Sequence, residues 1–136
     1  MDHELLLQCL QHDYGITGNV LAWFQSYLTS HTQSVCINGI KSTPHKLTCG
    51  VPQGSVLGPL LFTLYAQPLG TVLTSNEMPY HFYSDDSQLY KTFPPSLMPV
   101  VIKQAENCVT DVKRWMIEHM LSQKDDKTEI IFIHSR

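Results

Sequence analysis

Apolar positions along this chain change their period several times, and each change predicts an element. Leu5, Leu6, Cys9 and Leu10 recur at helical spacing from about His3 to Asp13, behind Asp2, whose carboxylate suits an N-cap, and ahead of Gly15, which ends the helix. Thr17 starts a second helix, with Val20, Leu21, Phe24, Tyr27 and Leu28 as its apolar stripe. Both stripes read as core. In "TQSVCINGIKSTPHKLTC" two β-prone runs flank Asn38-Gly39, a pair that accepts positive φ at both positions and so predicts a two-residue hairpin. "SVLGPLLFTLYA", from Ser55 to about Ala66, is helical again. Pro59 must lie near its first turn, because deeper inside it would remove a backbone hydrogen bond.

Residues 80 to 92 predict strand, turn and strand centred on Asp85-Asp86. Beyond the "PPS" breaker, residues 98 to 120 carry Val101, Ile102, Ala105, Cys108, Val109, Val112, Trp115 and Met116 at spacings of three and four, the stripe of a long amphipathic helix. The polar connector "LSQKDDKT" leads to "EIIFI", a short apolar run that predicts a strand covered on both faces. Strands that return repeatedly between helices predict an α+β class, a mainly antiparallel sheet with helices packed on one face. No repeat, low-complexity segment or domain boundary divides the chain.

Composition narrows the class. A length of 136 residues suits one domain with one core, and 43% hydrophobic against 15% charged content argues against disorder. No apolar run approaches membrane-spanning length, so no membrane partner is expected, and "MDHELLLQCLQHD" does not read as a secretory leader. The four cysteines form no Cys-x-x-Cys pair and the seven histidines no His-Glu-x-x-His pair, so a reduced, intracellular chain without zinc is expected. A net charge of −3 supplies no broad field for phosphates; a nucleic-acid grip, if the chain needs one, must lie largely elsewhere.

Three segments can carry chemistry. In "HFYSDDSQLY" two adjacent carboxylates sit at a strand reversal, which is either a solvated acidic turn or a place where a divalent cation relieves their repulsion and gains hard oxygen ligands. "GVPQGSVLG" fits neither a dinucleotide fingerprint, a P-loop nor a Gly-x-Ser-x-Gly elbow; what remains is a flexible loop feeding a helix N-terminus. Lys127 in "DDKTE" is an exposed strand-entry lysine, a phosphate contact or a proton donor.

Taken in order, these pieces resemble the reverse transcriptases of non-LTR, LINE-type retrotransposons. "GVPQGSVLGPLLFTLY" is similar to motif B of that family, "YSDD" to its Tyr-x-Asp-Asp motif C, and "VKRWMIEHMLSQKDDKTEIIFI" to the helix, loop and strand of motif D. "DHELLLQCL" resembles the segment after motif A, so the likeness covers essentially the whole chain. It implies a partial right-hand polymerase palm over residues 1–136, from an enzyme that copies an RNA template by adding deoxynucleoside triphosphates to a DNA primer. It also implies roles: Asp85 binding catalytic Mg²⁺ directly, Asp86 supporting it, and Tyr83 and Ser84 beside the primer end. Pro52, Gln53 and Gly54 would line the pocket for nucleotide and template, and Lys127 would approach the triphosphate.

The departures carry expectations of their own. The family's motif A, Phe-Asp-x-x-Asp-His, is matched only at its end by Asp2-His3, and its metal-binding aspartate would lie two positions before Met1. Two carboxylates without that third ligand would hold Mg²⁺ loosely, and the loss lowers the expected rate at least about a thousandfold. No segment resembles fingers, thumb or endonuclease. Gln123-Lys124 stand where the family has Leu-Asn, and Ser84 where it more often has Ala. The expectation is a polymerase fragment inactive by itself. The alternative is a non-catalytic protein that keeps the palm fold to hold nucleic acid or a partner.

Overall fold

The computed structural model describes residues 1–52 and 54–133. Helix α1 (His3–His12) starts on Asp2, whose Oδ1 accepts the backbone N–H of Glu4 at 2.9 Å and of Leu5 at 3.1 Å, a cap worth about 1 kcal/mol. Helix α2 (Gly18–Leu28) follows Thr17, whose side chain makes no capping bond. The expected stripe of α1 is inward, with Leu6 and Leu10 fully buried. In α2 only Leu28 is buried, and Val20 departs from expectation by facing solvent on the same flank as Trp23. The cause is local: α2 packs on α1, and among the described residues no element packs on its outer flank.

Four short strands follow, β1 (Thr32–Gln33), β2 (Cys36–Ile37), β3 (Ile40–Lys41) and β4 (His45–Lys46). β1 pairs antiparallel with β4, and β2 with β3 across the expected two-residue turn, where Asn38 has φ 50° and Gly39 φ 82°. Helix α3 (Gly58–Ala66) carries Pro59 in its first turn. It begins later than Ser55 because Ser55 N–H bonds to Pro52 O and Ser55 Oγ accepts the Gly58 N–H, both at 3.1 Å, which holds the chain in turns. A short helix α4 (Leu69–Ser75), absent from the sequence reading, then leads to β5 (Tyr80–Tyr83) and β6 (Asp86–Leu89). Helix α5 (Met98–Glu118) occupies nearly the whole stretch expected of it.

Two buried clusters form the core. Leu6, Leu10, Leu28, Leu61 and Tyr65 lock α1, α2 and α3 together, while Leu69, Leu73, Met78, Cys108 and Trp115 lock α4 to α5. Leu121 packs against both, and Tyr65 Oη donates to His119 O at 2.5 Å across the same junction.

The mixed α+β class and antiparallel pairing hold, but two expectations need correction. Among the described residues the strands form three separate two-stranded ribbons rather than one sheet, and only the β5–β6 ribbon lays a face on the helices. "EIIFI" is not a covered strand. Ile130, Ile131, Phe132 and Ile133 are 51% to 93% exposed and carry no regular structure, while Asp125–Lys127 ahead of them form a 3₁₀ turn. A strand needs a neighbouring edge to satisfy its backbone, and among the described residues none is paired with this run.

Candidate active site

The acidic hairpin is anchored at its base and free at its tip. Along β5 the side chains alternate: Tyr80 and Phe82 turn inward, with ring centroids 4.7 Å apart, and pack with Leu89 on the α4–α5 cluster. Gly70 of α4 makes room for this, since a Cβ there would strike Tyr80 Oη and come within 2.9 Å of Tyr80 Cζ. His81 and Tyr83 point outward.

Register runs from Tyr80↔Leu89 to Tyr83↔Asp86, so the two turn residues are Ser84 and Asp85. The turn is therefore centred one residue earlier than the expected Asp85-Asp86. Ser84 takes the left-handed conformation, φ 57°, which a two-residue hairpin turn requires of its first residue. Asp85 sits at the tip and Asp86 opens β6. Tyr83, Ser84, Asp85 and Asp86 are all exposed, and among the described residues no hydrogen bond or ion pair reaches either carboxylate. The two neighbouring carboxylates thus face water without a basic partner among the described residues.

Such a pair offers hard oxygen donors suited to Mg²⁺. Among the described residues, however, no three His, Cys, Asp or Glu side chains converge where a metal ion could sit. The donors present make part of a cation site and do not close one.

The glycine loop is held by the chain's first residues. Cys49 forms an antiparallel bridge with Asp2, Gly50 N–H donates to Met1 O at 2.8 Å, and His3 Nε2 lies 2.6 Å from Gly50 O. Gly50 and Gly54 both adopt φ 78°, a conformation that side chains resist. The loop lines an open depression of about 300 Å³ formed by Val51, Pro52, Gly54, Ser55, Gly58 and Pro59. Two of the three expected pocket residues, Pro52 and Gly54, are thus brought together, and Gln53 lies outside the described residues.

Lys127 is exposed in the 3₁₀ turn, and Lys113 of α5 holds that turn through Asp125 Oδ1 at 2.9 Å. Among the described residues no hydrogen bond or ion pair joins Lys127 to the hairpin or the loop. Sequence reasoning missed His3 as the loop's tether. Its one signal was a histidine in the first position of a capped helix, which does not by itself name a partner 47 residues away.

These features coincide with a family assignment. The chain belongs to the reverse transcriptase (RNA-dependent DNA polymerase) family, which it matches over residues 1–135. Its relatives among characterised sequences are retrotransposon proteins, of the non-LTR kind. It is 47% identical over 45 residues to a probable RNA-directed DNA polymerase from transposon X-element of Drosophila melanogaster, covering 33% of this chain and 5% of that protein. It is 43% identical over 47 residues to the RNA-directed DNA polymerase from mobile element jockey of the same fly, covering 35% of this chain and 5% of that protein. It is 28% identical over 96 residues to the probable RNA-directed DNA polymerase from transposon BS, covering 71% of this chain and 10% of that protein. The chain thus spans a tenth or less of the length of these relatives. No solved structure matches it. Among the described residues no helix is long and apolar enough to cross a membrane.

Proposed function

We propose that residues 1–136 are part of the palm of an RNA-copying DNA polymerase and supply two of the acidic groups and the nucleotide-side loop of its active site. The observation that carries this reading is the β5–β6 turn, which raises Asp85 and Asp86 together from an aromatic base packed on α4 and α5. Asp85, at the tip, would hold the cation, and Asp86 would support it from the first position of β6. Tyr83 and Ser84 face the primer end. Pro52 and Gly54 line the pocket for the incoming nucleotide and the template base, and the depression they share with Val51, Ser55, Gly58 and Pro59 gives that pocket room. Lys127 approaches the triphosphate from the 3₁₀ turn.

Mg²⁺, when bound, polarises the phosphate and activates the primer hydroxyl in this class of transfer. The residues of this chain orient its ligands, shape the pocket and present an acidic edge. Two acidic ligands do not make the three that such a transfer uses, so the 136-residue polypeptide is inactive by itself. Primer extension on a homopolymer RNA with Mg²⁺ tests this, and the expected outcome is no synthesis above background. Robust synthesis by the purified chain, abolished by Asp85→Asn, would preserve the site assignment and overturn the claim of incompleteness.

A further inference from the structure

Two features of this chain have β composition and incomplete pairing, and each lacks what the other offers. The first is the arm over residues 32–46, in which the β1–β4 and β2–β3 ribbons are nested as one long hairpin and every residue is exposed. A two-stranded hairpin standing in water is marginal by itself. Ile37 and Ile40 are cross-strand partners and Val35 lies two residues before Ile37, so the three share one face; Val35 is 63%, Ile37 66% and Ile40 78% exposed. The second feature is the run Ile130–Ile133, exposed throughout and, among the described residues, paired with no strand edge.

Charge selects the edge that suits the run. Its lead-in carries Asp125, Asp126 and Glu129 against Lys127, and among the described residues Asp126 and Glu129 form no ion pair. The β5–β6 ribbon carries Asp85 and Asp86, of the same sign, whereas the arm carries Lys41 and Lys46 and no acidic residue. Pro44, between β3 and β4, has no N–H to give an added strand, which leaves the edge formed by β1 and β2. Lys46 and Lys41 stand directly across from Thr32 and Cys36 on that edge.

We infer that the Ile130–Ile133 run of one copy adds as a third strand along the β1–β2 edge of a second copy, and that the second copy's run does the same in return. Both halves of the contact are present in every chain, so the exchange closes as a two-fold dimer. It pairs the backbone of the run, widens the apolar face of the arm and brings Asp126 and Glu129 towards Lys46 and Lys41. The contact uses neither the acidic hairpin nor the glycine loop and stands independently of the polymerase reading.

Sedimentation equilibrium of the full 136-residue chain over a concentration series tests the inference. The expected result is a reversible step from 15.5 kDa to twice that mass, weaker at high salt. Ile37→Asp on the arm and Ile131→Lys in the run each weaken the dimer at least about tenfold. Both side chains are exposed in the single chain, so far-UV circular dichroism stays unchanged. Mixed in equal amounts, the two variants regain a dimer, because one of the two contacts is then native on both sides and in the other the new charges attract. A single 15.5 kDa species at every concentration, polymers without a dimer, a dimer indifferent to both substitutions, or no recovery on mixing would each overturn it.

Discussion

Gln123 lies in the connector after α5, and its surroundings favour an apolar residue at that position. Its Nε2 donates to Thr128 Oγ1 at 3.0 Å, yet its Oε1 is buried with no partner among the described residues. An orphaned acceptor costs roughly 1–3 kcal/mol, more than one exposed hydrogen bond returns. Gln123→Leu therefore stabilises the fold by about 1 kcal/mol, seen as a higher urea midpoint with unchanged slope; a lower midpoint would count against it. Cys9 gives a second handle at this scale. Burial, then the hydrogen bond and the charge of Asp13, push its thiol up to about 12 from 9.0. A folded value above the unfolded one means the folded state holds the proton more tightly. The resulting stability is whole below pH 9.0 and is lost as pH rises towards about 12. Denaturant midpoints should hold steady up to pH 9.0 and decline above it, with part of the decline absent in Cys9→Ala.

Elements governed by their own residues were legible in the sequence. The Asp2 cap, the Asn38-Gly39 turn, Pro59 in the first turn of α3 and the long stripe of α5 are local, and each is where its residues predicted. What depends on partners distant in sequence was not legible. "EIIFI" has the composition of a strand but, among the described residues, no edge to join, and Val20 was read as core although it faces solvent on α2. Helix α4, seven residues long, shows too little periodicity to be seen before Tyr80 and α5 close on it. At the site, the acidic hairpin was legible within one residue, because alternation along β5 sets which side chains anchor it. The tether of the glycine loop was not, since it joins His3 to Gly50. In His3→Ala the amide of Gly50 loses the fixed geometry of its bond to Met1 O and exchanges with solvent about tenfold faster, while the global midpoint moves little. Equal exchange in both proteins would show that the backbone bridge alone holds the loop.

For the whole molecule, charge and packing divide the labour. Two helical clusters hold the fold, and the acidic hairpin projects from the second of them with no described basic side chain paired to its carboxylates. Asp125-Asp126 provide a second adjacent acidic pair in the same chain, outside any hairpin, with Asp125 already engaged by Lys113. A cation site made by the β5–β6 turn should distinguish between them; simple attraction to paired acids should not. The most direct measurement is paramagnetic broadening of backbone amides by Mn²⁺ at substoichiometric concentration. The account predicts weak binding, with broadening concentrated at residues 84–87 and lost in Asp85→Asn, and only faint effects at residues 125–126. Broadening at the second pair equal to that at the hairpin, or a pattern unchanged by Asp85→Asn, would contradict it.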